Sequence, residues 1–202
     1  MVVVETGIEP PKPEVFALAL EAGAEVAHVP ALEVVNLELE FSLEGFDAAF
    51  VGSPRAAALA LPELAKFAGE IFAPGQGTAK VLSRAGLGVS RVGSGAGAFE
   101  MFREAAASGE LPKKIAWLSA QETAADLNEL AQKFGMEVSH FALYRTLPSG
   151  KLAAELRAVP QPRKFLLRSG KAVRAIAAFL CEGDECVPFG KSAEEALKAL
   201  RR

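Results

Sequence analysis

An internal repeat constrains this 202-residue chain more than any other feature. Phe50-Val-Gly-Ser53-Pro54-Arg55-Ala56-Ala57 matches Leu166-Leu-Arg-Ser169-Gly170-Lys171-Ala172-Val173. Each is an apolar run that enters a serine, a turn residue, a cation and a helical period. Farther on, Pro74-Gly75-Gln76-Gly77-Thr78-Ala79 faces Phe189-Gly190-Lys191-Ser192-Ala193-Glu194, with a Ser-to-Gly gap of 22 residues in the first copy and 21 in the second. Two landmarks at preserved spacing describe a duplicated α/β unit.

The periodicity agrees. Short β-branched or apolar runs alternate with helical periods, which predicts an α/β protein with mostly parallel sheets. Strands are expected near Val2–Val4, Glu25–His28, Ala48–Val51, Ile71–Ala73, Ser90–Val92, Lys114–Leu118, Val138–Tyr144, Phe165–Arg168 and Cys186–Phe189. Helices are expected near 13–22, 55–67, 78–85, 98–107, 121–134, 171–180 and 192–201. Pro13 suits a first helical position, Ser192 with Glu195 reads as a capping box, and Leu147–Gly150 reads as a turn or linker. The first copy has ample chain after it for a full sheet, up to about Tyr144, whereas the second has only the tail to Arg202. The second copy therefore needs the strand–helix–strand at residues 1–30 to complete its sheet. The expected architecture is two parallel-sheet α/β domains. A discontinuous one covers 1–34 plus 148–202, and one inserted at 35–147 joins it through a two-stranded hinge around Pro30–Asn36 and Arg145–Gly150.

Composition narrows the function classes. Half of the residues are hydrophobic and 23% are charged, enough to bury a core. No apolar run approaches the roughly 20 residues that span a bilayer, and the start lacks a basic n-region, so a cytoplasmic protein is expected. Two cysteines and two histidines leave no disulfide framework or multi-ligand metal site, and no metal is expected. Residues 1–50 hold ten acids against one base, while Tyr144–Arg174 holds eight bases against one acid. That field suits an anionic ligand, the alternative being a solvated basic surface. With an acidic pI of about 5.6 and no basic-aromatic platform, nucleic acid is not an expected partner. Nothing demands more than a monomer.

In open α/β sheets, ligands bind beyond the carboxyl ends of the strands. Ser53 with Arg55, and Ser169 with Gly170 and Lys171, place a hydroxyl, free helix N–H groups and a cation there, the parts of an anion cradle. Gly75, Gln76, Gly77 and Thr78 add closely approachable backbone amides, and Ser192 stands in the matching place of the second copy. Both serines also fit as simple N-caps. If both domains turn these ends toward one cleft, the ligand is large and carries several carboxylates or phosphates. Tyr144, the only tyrosine, falls at the end of the inserted domain's last strand. Its phenol is placed to donate a proton into a cleft, or else covers the sheet edge. Gly93–Ala98 fits G-x-G-x-x-A, but the following strand ends at Ser119 without a ribose-binding acid. Gly190-Lys191-Ser192 imitates the end of a phosphate loop whose first glycine position holds Glu185. Cys181 and Cys186 read as loop thiols. His28 and His140 lack a neighbouring nucleophile motif.

The order of these motifs resembles the uroporphyrinogen-III synthase family over nearly the whole chain. The resemblance rests on Glu25–Glu33, Phe46–Ala56, Gly75–Ala79, Phe141–Thr146 and Ser169–Val173. It implies two α/β domains, no organic cofactor or metal, and hydroxymethylbilane, a linear tetrapyrrole with eight carboxylates, as substrate. Hydroxymethylbilane synthase is the implied source of a hand-off. The implied reaction expels the terminal hydroxyl, forms an azafulvene-like cation, and inverts the last pyrrole ring through a spiro intermediate. By resemblance Tyr144 assists hydroxide departure. Ser53, Thr78, Ser169 and nearby amides hold carboxylates, with Arg55 and Lys171 supplying charge.

The chain departs from the family pattern in places. Glu5-Thr6 stands where a Thr-Arg pair is common, Ser119-Ala120 where Arg-Gly is expected, and Ala193 where a hydroxyl matches Thr78. A final strand and helix are missing, unless 192–201 is itself the last helix and an internal segment is absent. Two further readings stand beside the enzyme: a non-catalytic homologue that binds a polycarboxylate tetrapyrrole, and a nucleotide-binding regulator using the Gly93 loop.

Overall fold

Along the chain, β1 (Val2–Glu5), α1 (Pro13–Glu21), β2 (Glu25–His28) and β3 (Leu32–Asn36) come first. They are followed by β4 (Ala48–Val51), α2 (Pro54–Leu64), β5 (Glu70–Ala73), α3 (Gln76–Arg84) and β6 (Arg91–Val92). Next come α4 (Ala98–Ala107), β7 (Lys114–Ala120), α5 (Leu127–Phe134) and the long β8 (Glu137–Pro148). The last stretch holds α6 (Leu152–Ala158), β9 (Arg163–Leu167), α7 (Gly170–Ile176), β10 (Glu185–Pro188) and α8 (Lys191–Leu200), with a 3-10 turn at Ala177–Phe179. The structure is a computed structural model that describes residues 1–95, 98–123 and 125–200. The chain divides into two units, Met1–Val35 with Thr146–Arg202 and Asn36–Arg145, and passes between them twice.

The first unit holds a four-stranded sheet in the order β10-β9-β1-β2, with all three pairings parallel. The other sheet has the order β3-β8-β7-β4-β5-β6, with β4 to β7 and most of β8 in the second unit, and its pairings from β8 through β6 are parallel. The sequence Ala48-Ala-Phe-Val51 shows why: it is buried at all four positions, as a parallel strand covered on both faces must be. Alternation sends Ala49 and Val51 toward the helix-lined core of Ala56, Ala60, Leu64 and Leu82. Ala48 and Phe50 face the other core, with Phe102, Met101 and Trp117, where the Phe50 and Trp117 rings stack at 3.9 Å. The first unit has one core, in which Val4, Phe165 and Leu167 meet Leu156, Val173, Ile176 and Leu197.

The duplication is visible in the backbone. Ser53 and Ser169 both precede a helix in extended conformation, at φ −160°, ψ 161° and φ −160°, ψ 160°. Each side chain caps its helix, accepting from Ala56 N at 3.0 Å and from Ala172 N at 3.2 Å. In both copies the two helices pack together, α2 on α3 and α7 on α8. The close approach is met differently. A Cβ on Gly170 would lie 2.7 Å from the Ser192 carbonyl oxygen, whereas one on Gly77, at the position corresponding to Ser192, would lie 3.7 Å from Pro54 Cγ. Gly170→Ala is therefore expected to destabilise the protein by about 1–3 kcal/mol through overpacking against backbone. Gly77→Ala, in ordinary contact distance and in a helical turn, should be neutral or slightly stabilising. Thermal denaturation of the two variants side by side checks the contrast.

One guanidinium pins the far end of the first unit's sheet. Arg163, which opens β9, donates from Nε to Asp184 Oδ1 at 3.1 Å and from Nη2 to Asp184 Oδ2 at 2.5 Å. It also donates to the carbonyls of Leu156 at 3.2 Å and Phe179 at 3.0 Å. α6, the 3-10 turn and the approach to β10 are thus tied to one side chain. Both partners are buried, at 5% and 1% side-chain exposure. Hydrogen bonding to Asp184 raises the Arg163 pKa against the opposing effect of burial. For Asp184 burial works against ionisation, but the hydrogen bonds from Arg163 and from Cys181 N outweigh it and hold the carboxyl below its ordinary range.

Several local expectations need correction. No separate strand is expected over 32–36 within the crossing at Pro30–Asn36, yet Leu-Glu-Val-Val-Asn forms β3 at the edge of the six-stranded sheet beside β8. β8 runs to Pro148, through the expected turn at 147–150. The helix expected over 121–134 begins at Leu127, because Asp126 Oδ1 accepts from the N–H groups of Asn128 and Glu129 at 2.9 and 3.1 Å; Ala124 lies outside the described residues. α6 was not expected at all. Ser192 is no cap: α8 begins at Lys191, and the Gly190 carbonyl already accepts from Ala193 and Glu194. Gly190 itself sits at φ +91°, the left-handed region that glycine tolerates best.

Candidate functional site

At the carboxyl end of the second unit's sheet, β4 leads into Ser53 and α2, and β8 brings Tyr144 alongside. Ser53 Oγ lies 2.9 Å from Tyr144 Oη, joining two expected site residues 91 positions apart. The serine is doubly engaged, since its oxygen also accepts the Ala56 N–H that would otherwise be unpaired at the helix start. Its hydroxyl hydrogen can be given to the phenol oxygen, which leaves the phenol hydrogen for another acceptor. A pocket of about 250 Å³ opens beside this pair, lined by Phe50, Trp117, Ser119, Glu122, Thr123 and Tyr144 among others. A wider cleft of about 520 Å³ lies at the opposite end of a sheet, where Arg163 opens β9. Ligands of open α/β sheets occupy the carboxyl ends, so the smaller pocket is the candidate.

The other expected residues of this unit share that end. Gly75 precedes α3 without a side-chain cap, and Gln76, Gly77 and Thr78 form its first turn. Gln76 and Gly77 are exposed, whereas Thr78 is buried at 3% exposure. Arg55, exposed in the first turn of α2, is engaged with its surroundings.

The first unit carries its own set. Ser169 caps α7, Gly170 opens it, and Lys171 Nζ donates to Thr146 Oγ1 at 3.2 Å. Ser192 is exposed in the first turn of α8. Sequence reasoning missed an ion pair at this end of the sheet. Glu5, at 2% exposure, takes Arg168 in a two-point contact, from Nε to Oε1 at 3.0 Å and from Nη2 to Oε2 at 2.5 Å. The guanidinium also lies over the Phe189 ring, 4.3 Å from its centroid. Hydrogen bonding to Glu5 raises the Arg168 pKa, with burial acting in the opposite sense. Glu5 ends β1 opposite Leu166, and Arg168 follows the end of the adjacent parallel strand β9, within reach of the carboxylate.

His28 Nε2 lies 2.8 Å from the Gly7 carbonyl, which makes it a strand-end fastening. His140 does have a serine neighbour: its Nε2 is 3.0 Å from Ser119 Oγ. In the Gly93–Ala98 loop, Ala96 and Gly97 lie outside the described residues. Among the described residues no group of three or more His, Cys, Asp or Glu side chains could hold a metal, and no helix is long and apolar enough to cross a membrane.

Residues 14–197 match the family model described as HEM4, uroporphyrinogen-III synthase HemD. Among solved structures, the chain is similar to uroporphyrinogen-III synthetase from Helicobacter pylori, with 15% identity and a TM-score of 0.71 over 99% of this chain and 89% of that one. It is also similar to a mutant uroporphyrinogen III synthase from Thermus thermophilus, with 16% identity and a TM-score of 0.53 over 100% of this chain and 97% of that one. At such identities the likeness establishes the fold. No match was found among curated proteins.

Proposed function

The chain belongs to the uroporphyrinogen-III synthase family, and from that premise we propose that it closes hydroxymethylbilane into uroporphyrinogen III with release of water. Membership assigns the chain to tetrapyrrole biosynthesis. The observation that carries the finer reading is the Ser53–Tyr144 contact, whose tyrosine lines a pocket at the sheet's carboxyl end. Tyr144 Oη gives its proton to the departing hydroxyl, which leaves as water, while the Ser53 hydroxyl steadies the phenolate. The azafulvene-like cation is then attacked through a spiro intermediate, the last ring inverts, and the proton that ring closure sheds returns to Tyr144. Little other chemistry is asked of the protein beyond holding the chain ends together. Carboxylates of the substrate are taken by the uncapped first turn of α3 at Gly75–Thr78, with Arg55 nearby. In the first unit they are taken by the α7 start at Ser169, Gly170 and Lys171, and by Ser192.

The test is the isomer formed. Hydroxymethylbilane generated in situ closes spontaneously to the type I product, so the protein should give an excess of type III on chromatographic separation of the oxidised porphyrins. Formation of type I alone by folded protein overturns the enzymatic reading.

A second reading, binding of a polycarboxylate tetrapyrrole without turnover, is favoured by one observation. At the end of β1, where the resemblance leads one to expect a Thr-Arg pair, stand Glu5 and Thr6, both buried, and Glu5 holds Arg168. Uroporphyrin binding with no type III product would move this reading to the front.

A further inference from the structure

The strands β7 and β8 pair with a constant offset from Lys114↔Glu137 to Ser119↔Ala142, and then the offset jumps, so that Ala120 faces Tyr144. Leu143 is the extra residue of a β-bulge. Side chains of a strand alternate between faces, so one extra residue reverses the direction of everything beyond it. The packing records this reversal. Phe141 and Leu143 belong to the core beneath α2, as alternation requires, and Tyr144 packs on that same core although it immediately follows Leu143. Without the bulge Tyr144 would point to the other face of the sheet, away from Ser53. The single irregularity of this strand pair therefore creates the Ser53–Tyr144 contact.

The bulge has a fastening. Ser119 Oγ donates to the Ala120 carbonyl at 2.9 Å. His140 Nε2 lies 3.0 Å from the same Ser119 oxygen and 3.1 Å from the same Ala120 carbonyl. The carbonyl can only accept, and the serine hydrogen is already given to it, so both oxygens call for a hydrogen on Nε2. Beyond the bulge, Gln121 N donates to the Tyr144 carbonyl at 2.7 Å and re-establishes the ladder. Ser119 is 7% exposed and lines the candidate pocket, while His140 is exposed on the sheet's flank.

We propose that His140 is a positioning residue: its Nε2–H, shared between Ser119 Oγ and the Ala120 carbonyl, locks the bulge that aims Tyr144 at Ser53. The proposal rests on the reading of Tyr144 as the proton donor only for its effect on turnover; its structural content stands apart from that reading.

Because the chain has one tyrosine, incorporation of 3-fluorotyrosine into the full chain yields a single 19F resonance that reports Tyr144. His140→Ala should move this resonance to the position it takes in Ser53→Ala, and His140→Gln, whose amide N–H can reach the same two oxygens, should return it to the wild-type position. His140 is exposed, so loss of its ring leaves the fold intact, and the melting temperature serves as the control. Formation of the type III isomer should fall about ten- to a hundredfold in His140→Ala, as expected for a displaced catalytic group, and recover in His140→Gln. A resonance unmoved by His140→Ala overturns the proposal, and so does a shift that His140→Gln fails to reverse. A shifted and restored resonance with unchanged turnover upholds the positioning role and overturns instead the assignment of Tyr144 as the acid.

Discussion

Tyr144→Phe is expected to slow formation of the type III isomer by about a hundredfold or more, the usual contribution of a positioned general acid. The aromatic ring stays, so its packing on the core of Phe141 and Leu143 and its place in the pocket wall are kept. Only one hydrogen bond is lost, to a serine that still caps α2 through the Ala56 N–H. Stability should therefore change by roughly 1 kcal/mol or less. Rate and melting temperature measured on the same preparation separate the two effects. A wild-type rate from the phenylalanine variant removes the phenol from the mechanism. Ser53→Ala is the informative companion, because it costs the helix its cap, about 1 kcal/mol, and the phenolate its supporting hydroxyl.

The largest effect on stability should come from a site that takes no part in chemistry. Asp184→Ala leaves the Arg163 guanidinium buried without its counter-charge, and such a broken pair costs about 3–5 kcal/mol. Replacing both partners together, Arg163→Met with Asp184→Leu, should recover only part of that loss: an apolar pair needs no solvation, but the Phe179 carbonyl and the Cys181 N–H lose these partners. The pair also sets an acid limit. The Asp184 carboxyl is held below its ordinary range by Arg163 and the Cys181 N–H, against the pull of burial. Its contribution is complete above about pH 4, the unfolded value for aspartate, and drains away as the pH falls toward the folded value. Urea denaturation at a series of acidic pH values should show this slope in the wild type and a shallower one in Asp184→Ala. Equal slopes would mean that other carboxylates govern the acid limb.

What could be read from sequence, and what could not, follows the range of the interactions involved. Glu25–His28 and Ala48–Val51 were legible to the residue, because a short apolar run bounded by turn residues carries its own punctuation. The two serine caps were legible for the same reason, and duplication doubled the signal. The start of α5 is encoded too, in the Asp126-Leu-Asn-Glu129 pattern, although the helical period by itself extends back to Gln121. Leu152–Ala158 escaped because a seven-residue helix among basic residues has too few turns to show a period. The Glu5–Arg168 pair spans 163 positions, and the Ser119–His140 contact depends on strand register. Neither leaves a local trace. His140 in particular looked idle only because its partner lies on another strand.

The first unit's sheet draws β1 and β2 from the beginning of the chain and β9 and β10 from near its end, with β1 lying between β9 and β2. A ribosome delivers residues in order, so Val2-Val-Val-Glu5 leaves the tunnel with β2 for company but without its other neighbour. That neighbour, β9, is about 160 residues later, which at some 5–20 residues per second is a wait of roughly 8–30 s. Asn36–Arg145, by contrast, holds most of a six-stranded sheet and both of its cores, and can settle while translation continues. β1 thus waits for β9 while the intervening unit forms, and its strand edge stays unsatisfied through that interval.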